Sequence, residues 1–288
     1  MFNSIKNKIV MSIKNLFLIG LVAFVTIGCS TKSDDPKKWY EVSGNVKSIR
    51  TTGYEAIEKF GEISEGDVLY DYDNNMIMFN KDGYITDISY YNHGGNLKRK
   101  SVYVYDGDNK VLKINHYNGD GDNIGRTVYT YNEDGNPIKV VEYDKSSKII
   151  NTLKSEYDGD KCIKSQFFNE YSEGDYTIYE YNGTSMVKSV EYDKNGKKIG
   201  VYDEFENDKM TKHVTPQFTT NLTYNEKGLC SSIINGLLNK NNSYIFWKGK
   251  SYVYEYEYDD KGNWVRKVEK QMNSKKAERI FVREIEYY

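Results

Sequence analysis

Aromatic residues return at a fixed interval along most of this chain, and that interval limits what it can fold into. Phe79, Tyr105, Tyr131 and Tyr157 stand 26 residues apart, and Tyr157, Tyr181 and Phe205 stand 24 apart. A second series, Tyr91, Tyr117 and Tyr143, again spaced by 26 and followed by Phe168 and Tyr192, lies between them. A period of this length marks a small supersecondary unit copied in tandem. Each aromatic is followed by turn chemistry, as in Asn80-Lys81-Asp82-Gly83, Asp106-Gly107-Asp108-Asn109, Asn132-Glu133-Asp134-Gly135 and Asp193-Lys194-Asn195-Gly196. Asn and Asp bond their own backbone and Gly tolerates positive φ, so these segments read as four-residue hairpin loops. One repeat is therefore two antiparallel strands.

Strict alternation agrees. Tyr252, Tyr254, Tyr256 and Tyr258 share one face of a strand, and Phe281, Arg283, Ile285 and Tyr287 share one face of the last. With 28 tyrosines and only 3 prolines, the composition suits strands joined by turns. The predicted fold is all-β, a long antiparallel meander of about 18 strands from Gly44 to Tyr288. A sheet of that width must curve strongly, into a spiral, a trough or a wide barrel. Lys139 and Glu142 fall on opposite faces of one strand, which argues against an apolar band facing lipid.

The N-terminus carries a different signal. Lys6, Lys8 and Lys14 precede an uncharged run from Leu16 to Gly28 that ends at Cys29. Its 13 residues fall short of the roughly 20 needed by a spanning helix, so the segment reads as a signal peptide. Thr26-Ile27-Gly28-Cys29 resembles the lipobox of bacterial lipoproteins, in which the cysteine receives diacylglycerol; Thr26 departs from the usual Leu. The implied organisation is a leader over 1–28, a flexible tether over 29–40 and one repeat domain over 41–288. Cys29 would hold the protein on the outer membrane, and Asp34-Asp35 resembles an acidic signal for display on the cell surface. Without the three leader lysines the chain has 37 basic and 42 acidic residues, about −5, which does not recommend nucleic acid as a partner.

Tyr256-Glu257-Tyr258-Asp259-Asp260-Lys261-Gly262-Asn263-Trp264, Tyr129-Thr130-Tyr131-Asn132-Glu133-Asp134-Gly135-Asn136 and Tyr103-Val104-Tyr105-Asp106 resemble the YD repeat of the RHS family. The likeness spans most of the chain from about Phe79 in degenerate copies. It implies a curled β-strip at a bacterial surface; carbohydrate binding has been proposed for that family, and some members enclose a toxic cargo. This chain is far shorter than a cargo-enclosing shell and has no recognisable toxin domain. It looks more like the small lipoproteins built from such repeats.

Regularity fails between Phe205 and Tyr224 and between Tyr224 and Tyr258, and the second gap holds an aromatic loop. Long loops on a regular scaffold are where function concentrates. Tyr244, Phe246 and Trp247 of that loop, with Trp264, are the candidate ligand-binding residues. Cys162 and Cys230 fall in an apolar slot after a turn and read as packing residues, too distant to pair unless the sheet closes. Asn118, Asp120 and Asp122 resemble the start of a calcium loop, but its sixth and twelfth positions are Asn123 and Tyr129, so turn formation is the simpler role. No metal or cofactor site is expected. His116 sits in a strand slot and His93 in a turn, and no catalytic motif is present, so no enzymatic activity is expected. The tyrosine ladders read first as cross-strand stabilisers and second as a surface for sugars or peptides. The expected function is non-enzymatic: a tethered module that binds a glycan or an envelope protein. The alternative is a structural or toxin-neutralising lipoprotein that acts through an edge strand near Val46–Tyr54 or Ile280–Tyr288.

Overall fold

The computed structural model describes residues 40–70, 74–171, 173–216, 218–238, 244–245 and 251–288. The expected leader, Cys29 and the expected tether up to residue 39 lie outside them. The described elements are all strands. The chain opens with β1 (Val46–Lys59), β2 (Glu62–Val68), β3 (Asn74–Phe79), β4 (Ile85–Tyr91), β5 (Leu97–Tyr105), β6 (Val111–Asn118) and β7 (Asn123–Tyr131). It continues through β8 (Pro137–Asp144), β9 (Ile149–Asp158), β10 (Lys161–Phe168), β11 (Glu173–Asn182), β12 (Ser185–Tyr192), β13 (Lys198–Glu206) and β14 (Lys209–Val214). Last come β15 (Phe218–Tyr224), β16 (Cys230–Leu238), the two-residue β17 (Tyr244–Ile245), β18 (Tyr252–Tyr258), β19 (Trp264–Gln271) and β20 (Ala277–Tyr287).

The meander closes. β1 pairs with β20 from Val46↔Tyr287 to Glu55↔Arg279, and with β3 on its other side. The result is a barrel of 18 strands, from which β2 and β17 branch. Of the curved forms open to the sequence, the barrel is the one adopted. Val46–Tyr54 and Ile280–Tyr288 are consequently not edges, as the toxin-neutralising alternative required, because they form the seam itself.

Register separates the two faces. Ile49 stands opposite both Ile77 and Ile285, Ile77 opposite Ile88, Tyr129 opposite Val140, and Tyr256 opposite Lys267. This face is the inner one, because residues 40 and 41 lie against it from opposite walls: Tyr40 neighbours Tyr90 and Tyr105 on one side and Arg283 on another, while Glu41 neighbours Tyr224, Tyr256 and Lys267. The opposite face carries ion pairs at several strand junctions, including Lys100–Asp87 at 2.9 Å, Lys164–Glu156 at 3.0 Å and Lys270–Glu255 at 2.6 Å. Outer-face aromatics of the second series are also covered by cations, Tyr91 by Arg50 and Tyr143 by Arg126. Beyond Tyr54 the β1–β2 hairpin bends over this outer face, packing Tyr54, Ala56 and Ile63 on Val268 and Ile280 and fastening Glu65 to Arg266 at 3.2 Å.

The turns are shorter than the sequence suggests. Asn132 donates its N–H to the Asn136 carbonyl at 2.9 Å and accepts the Asn136 N–H on Oδ1 at 2.8 Å, leaving a three-residue loop with Gly135 at φ 86°. Asn109 and Ser147 occupy the same left-handed slot at φ 61° and 64°. Two-residue loops also occur, at Phe60-Gly61 and Asn207-Asp208, whose positive φ values match the twist of the flanking strands.

The aromatic repeat has a specific purpose. Between successive hairpins the backbone ladder stops short of the rim where β3, β5 and β7 end: β4–β5 pairing ends at Asp87↔Val102 and β6–β7 pairing at Lys113↔Val128. A phenol takes over there. Tyr105 donates its hydroxyl to the Ile85 carbonyl at 2.8 Å, Tyr131 to Val111 at 2.9 Å, Tyr157 to Pro137 at 3.2 Å and Tyr181 to Cys162 at 2.9 Å. Tyr224 and Tyr256 continue the series onto Met210 and Cys230. Phe205 has no hydroxyl to offer the equivalent carbonyl of Met186. Lysines from one hairpin tip lie over the next repeat's ring, as Lys110 does over Tyr131 and Lys209 over Tyr224.

Tyr131→Phe removes one such bond and is expected to lower unfolding stability by about 1 kcal/mol, whereas Phe205→Tyr should shift the urea midpoint the other way by a similar amount. Ser147→Gly should stabilise by up to about 1 kcal/mol by relieving a left-handed L-residue, read in the same titration.

Candidate functional site inside the barrel

Residues 40–45 fold over the rim into the lumen. Glu41 and Gly44 take positive φ, 54° and 88°, to make that turn. Asn263 clamps the segment, accepting the Ser43 N–H at 2.6 Å and donating to the Ser43 carbonyl at 3.0 Å. Val42 and Tyr40 then pack into a cluster with Val46, Ile49, Ile77 and Phe79, and the Tyr40 ring meets Phe79 edge-on at 6.4 Å. Tyr40, the last residue of the expected tether, thus belongs to the folded body.

The segment roofs a cavity of about 180 Å³ against the inner faces of β1, β3, β19 and β20. Its wall contributes Thr51, Asn75, Trp264, Lys267, Phe281 and Arg283, and Glu41 enters from the inserted segment. Trp264 is buried and donates from Nε1 to the Glu41 carboxylate at 3.2 Å. The Arg283 guanidinium lies 3.6 Å from the centre of its ring. Lys267 is boxed by aromatics, its ammonium 4.4 Å from the Phe281 ring centre and 5.4 Å from that of Trp264. Burial pushes this lysine below the usual amine range, opposed by the Glu41 carboxylate and reinforced by Arg283. Chemically, the arrangement is a small half-apolar chamber with two cations in its wall.

Further round the lumen runs a belt of hydrogen-bonded polar side chains. His116 bridges Ser101 at 3.0 Å and Thr127 at 2.9 Å, one hydroxyl on each ring nitrogen. Asp203 accepts from Ser189 at 2.9 Å and pairs with His213 Nδ1 at 2.7 Å. Serine and histidine both bind the aspartate rather than each other, which is not the relay that activates a hydroxyl nucleophile. The hydrogen bond to Asp203 raises the His213 pKa despite burial, and burial lowers that of His116. Glu191 beside them is raised, by burial and then by Asp203.

Of the sequence candidates, Trp264 lines the cavity. Tyr244 is described only as a backbone strand pairing with Leu238, and Phe246 and Trp247 lie outside the described residues, as does Cys29. Cys162 is fully buried beside Tyr179, and Cys230 is a half-buried free thiol, so the two are not joined to each other. Asn118, Asp120 and Asp122 form a turn in which Asn118 Oδ1 accepts both following N–H groups. Among the described residues no group of three or more His, Cys, Asp or Glu side chains is placed to hold a metal ion. Sequence reading passed over Glu41 and Lys267. The available signal was Arg283, a charge sharing the aromatic parity of the last strand.

No family model matches the sequence, and no curated relative does. Among solved structures, a porin-like protein from Bacteroides uniformis is 12% identical with a TM-score of 0.39, covering 84% of this chain and 96% of that one. A porin-like protein from Bacteroides vulgatus is 14% identical with a TM-score of 0.33, covering 84% and 98%. Both likenesses are too distant to transfer a fold or an activity.

The histidines supply a pH test. Because the native pKa of His213 lies above its unfolded value, the stability from its pairing is complete below about 6.5 and is lost as pH rises through the raised native value. His116 has the opposite sign: its contribution is present above about 6.5 and is lost as pH falls through its lowered native value. NMR titration should place His213 above and His116 below the ordinary imidazole value, and Asp203→Asn should lower the His213 value, since burial is then opposed only by the Glu191 carboxylate.

Proposed function

We propose that this protein is a lipid-tethered envelope protein, held through Cys29, that acts as a non-enzymatic binding module for a glycan or another envelope protein. The observation that carries this reading is the division of the barrel into two unlike faces. Its outer wall bears ion pairs and cation-covered tyrosines, suited to water. Its inner wall combines aromatic rings with hydrogen-bonding side chains and leads to the cavity beside Trp264. Flat rings flanked by polar groups suit sugars or the side chains of a docked segment. The leader and the lipobox-like Thr26–Cys29 support delivery to the outer membrane, and Asp34-Asp35 supports display at the surface. The likeness to YD repeats supports the same setting.

The reading is tested by a glycan array and an envelope pull-down with the lipidated protein, each repeated with Trp247→Ala. A reproducible ligand weakened at least tenfold by the substitution is the expected result. Blank screens together with an unaffected Trp247→Ala strain would sink it. Metabolic labelling with palmitate should mark the wild type and not Cys29→Ser.

A further inference from the structure

The roofed cavity has an uneven charge distribution. Its wall presents Lys267 and Arg283 on neighbouring strands, and the lining residues of β1, β3, β19 and β20 include no carboxylate. Glu269, outside the cavity lining, pairs with Arg279 at 2.7 Å and adds to Glu41 in opposing the loss of the Lys267 proton. The lining carboxylate is Glu41, which belongs to no strand. It is carried in by a segment that leaves the barrel's hydrogen-bond ladder, adopts a left-handed backbone at Glu41 itself, and is held by the Ser43–Asn263 clamp. Inside, the carboxylate receives the Trp264 indole N–H and lies close enough to Lys267 to oppose the loss of its proton. The Lys267 ammonium, largely withdrawn from water, requires a compensating negative charge.

We propose that the cavity is a binding site for a small carboxylate and that Glu41 is its built-in occupant, keeping the place that a free ligand takes when residues 40–45 swing out. The geometry defines the ligand class. Trp264 Nε1 and the Lys267 ammonium supply the donor and the charge for a carboxylate, Phe281 and Tyr40 offer apolar contact to a flat or cyclic body, and Thr51 and Asn75 offer hydrogen bonds at its far side. A volume of 180 Å³ takes a body about the size of a benzene ring, which fills a cavity of about 150 Å³. This inference rests on the binding-module reading and names a ligand class for its lumenal site. The two fail separately, because the test below uses defined small carboxylates and requires no glycan or protein partner.

The experiment compares the purified full chain with Glu41→Ala, using sodium benzoate and sodium glucuronate as probes and sodium chloride at matched ionic strength as the control. Glu41→Ala is expected to melt below the wild type and to be raised back toward it by a carboxylate probe and not by chloride. Calorimetric affinity for that probe should be at least about tenfold higher in the variant, since the competing occupant is gone. Lys267→Met in the Glu41→Ala background should abolish the response. Should Glu41→Ala not fold, Glu41→Gln, which keeps an acceptor for Trp264 and loses the charge, is measured in its place. Equal affinities in wild type and variant, a chloride effect as large as that of the carboxylates, or a response that survives Lys267→Met would each overturn the proposal.

Discussion

The phenol-to-carbonyl bond between neighbouring hairpins is the interaction on which the architecture rests. A two-stranded hairpin is marginal by itself and must join others. Here the strands of adjacent hairpins part before they reach the rim, and a hydroxyl from the end of one strand reaches the carbonyl that the parting exposes. The bond is short-range and needs only a tyrosine at the right place in each unit. Repeating it lets the sheet curve without leaving polar backbone unpaired. Lysines laid over the same rings shield them from water and add a charge-to-ring attraction. Burial suppresses the ionisation of Tyr105, Tyr131, Tyr181, Tyr224 and Tyr256, Tyr131 being pushed up to about 12, so these remain donors throughout the ordinary pH range.

Much of this was legible in residue order, because its causes are local. The spacing of Phe79, Tyr105, Tyr131 and Tyr157 marks strand ends, and Asn or Asp followed by Gly marks turns. The assumption of four-residue loops missed that an Asx side chain already closes the loop at its fifth residue, as Asn132 does with Asn136. Closure was less legible: β1 and β20 meet across more than 220 residues, and neither carries a motif that names the other. The cavity was hidden for the same reason. Trp264 was singled out as an aromatic, but its partners Glu41 and Arg283 come from opposite ends of the chain and meet only when the seam forms.

Within the lumen, polarity is divided between two regions with different chemistry. The belt around His116 and His213 is held by its own side chains, with both His116 nitrogens, His213 Nδ1 and the Asp203 carboxylate answering neighbours on adjacent strands. The chamber at the rim depends on a segment outside the sheet for its negative charge. One region is therefore fixed by the strand register and the other by a short stretch of chain anchored through Asn263. The outer wall varies least in kind, with ion pairs between adjacent strands that are largely exposed and contribute little individually to stability.

The seam between β1 and β20 also bears on how the barrel is assembled. Neighbouring strands β3 to β16 are joined by short loops, so their pairings close only small stretches of chain and can build up early, each hairpin supported by the next. Joining the two ends instead closes a loop of more than 200 residues, at an entropic cost that grows only with the logarithm of its length. A growing chain can thus lay down hairpins in order as an open strip, with the inner face still accessible, until β20 arrives. The residues around the rim cavity are then brought together in the last step, so the contact order of the molecule is concentrated in a single event.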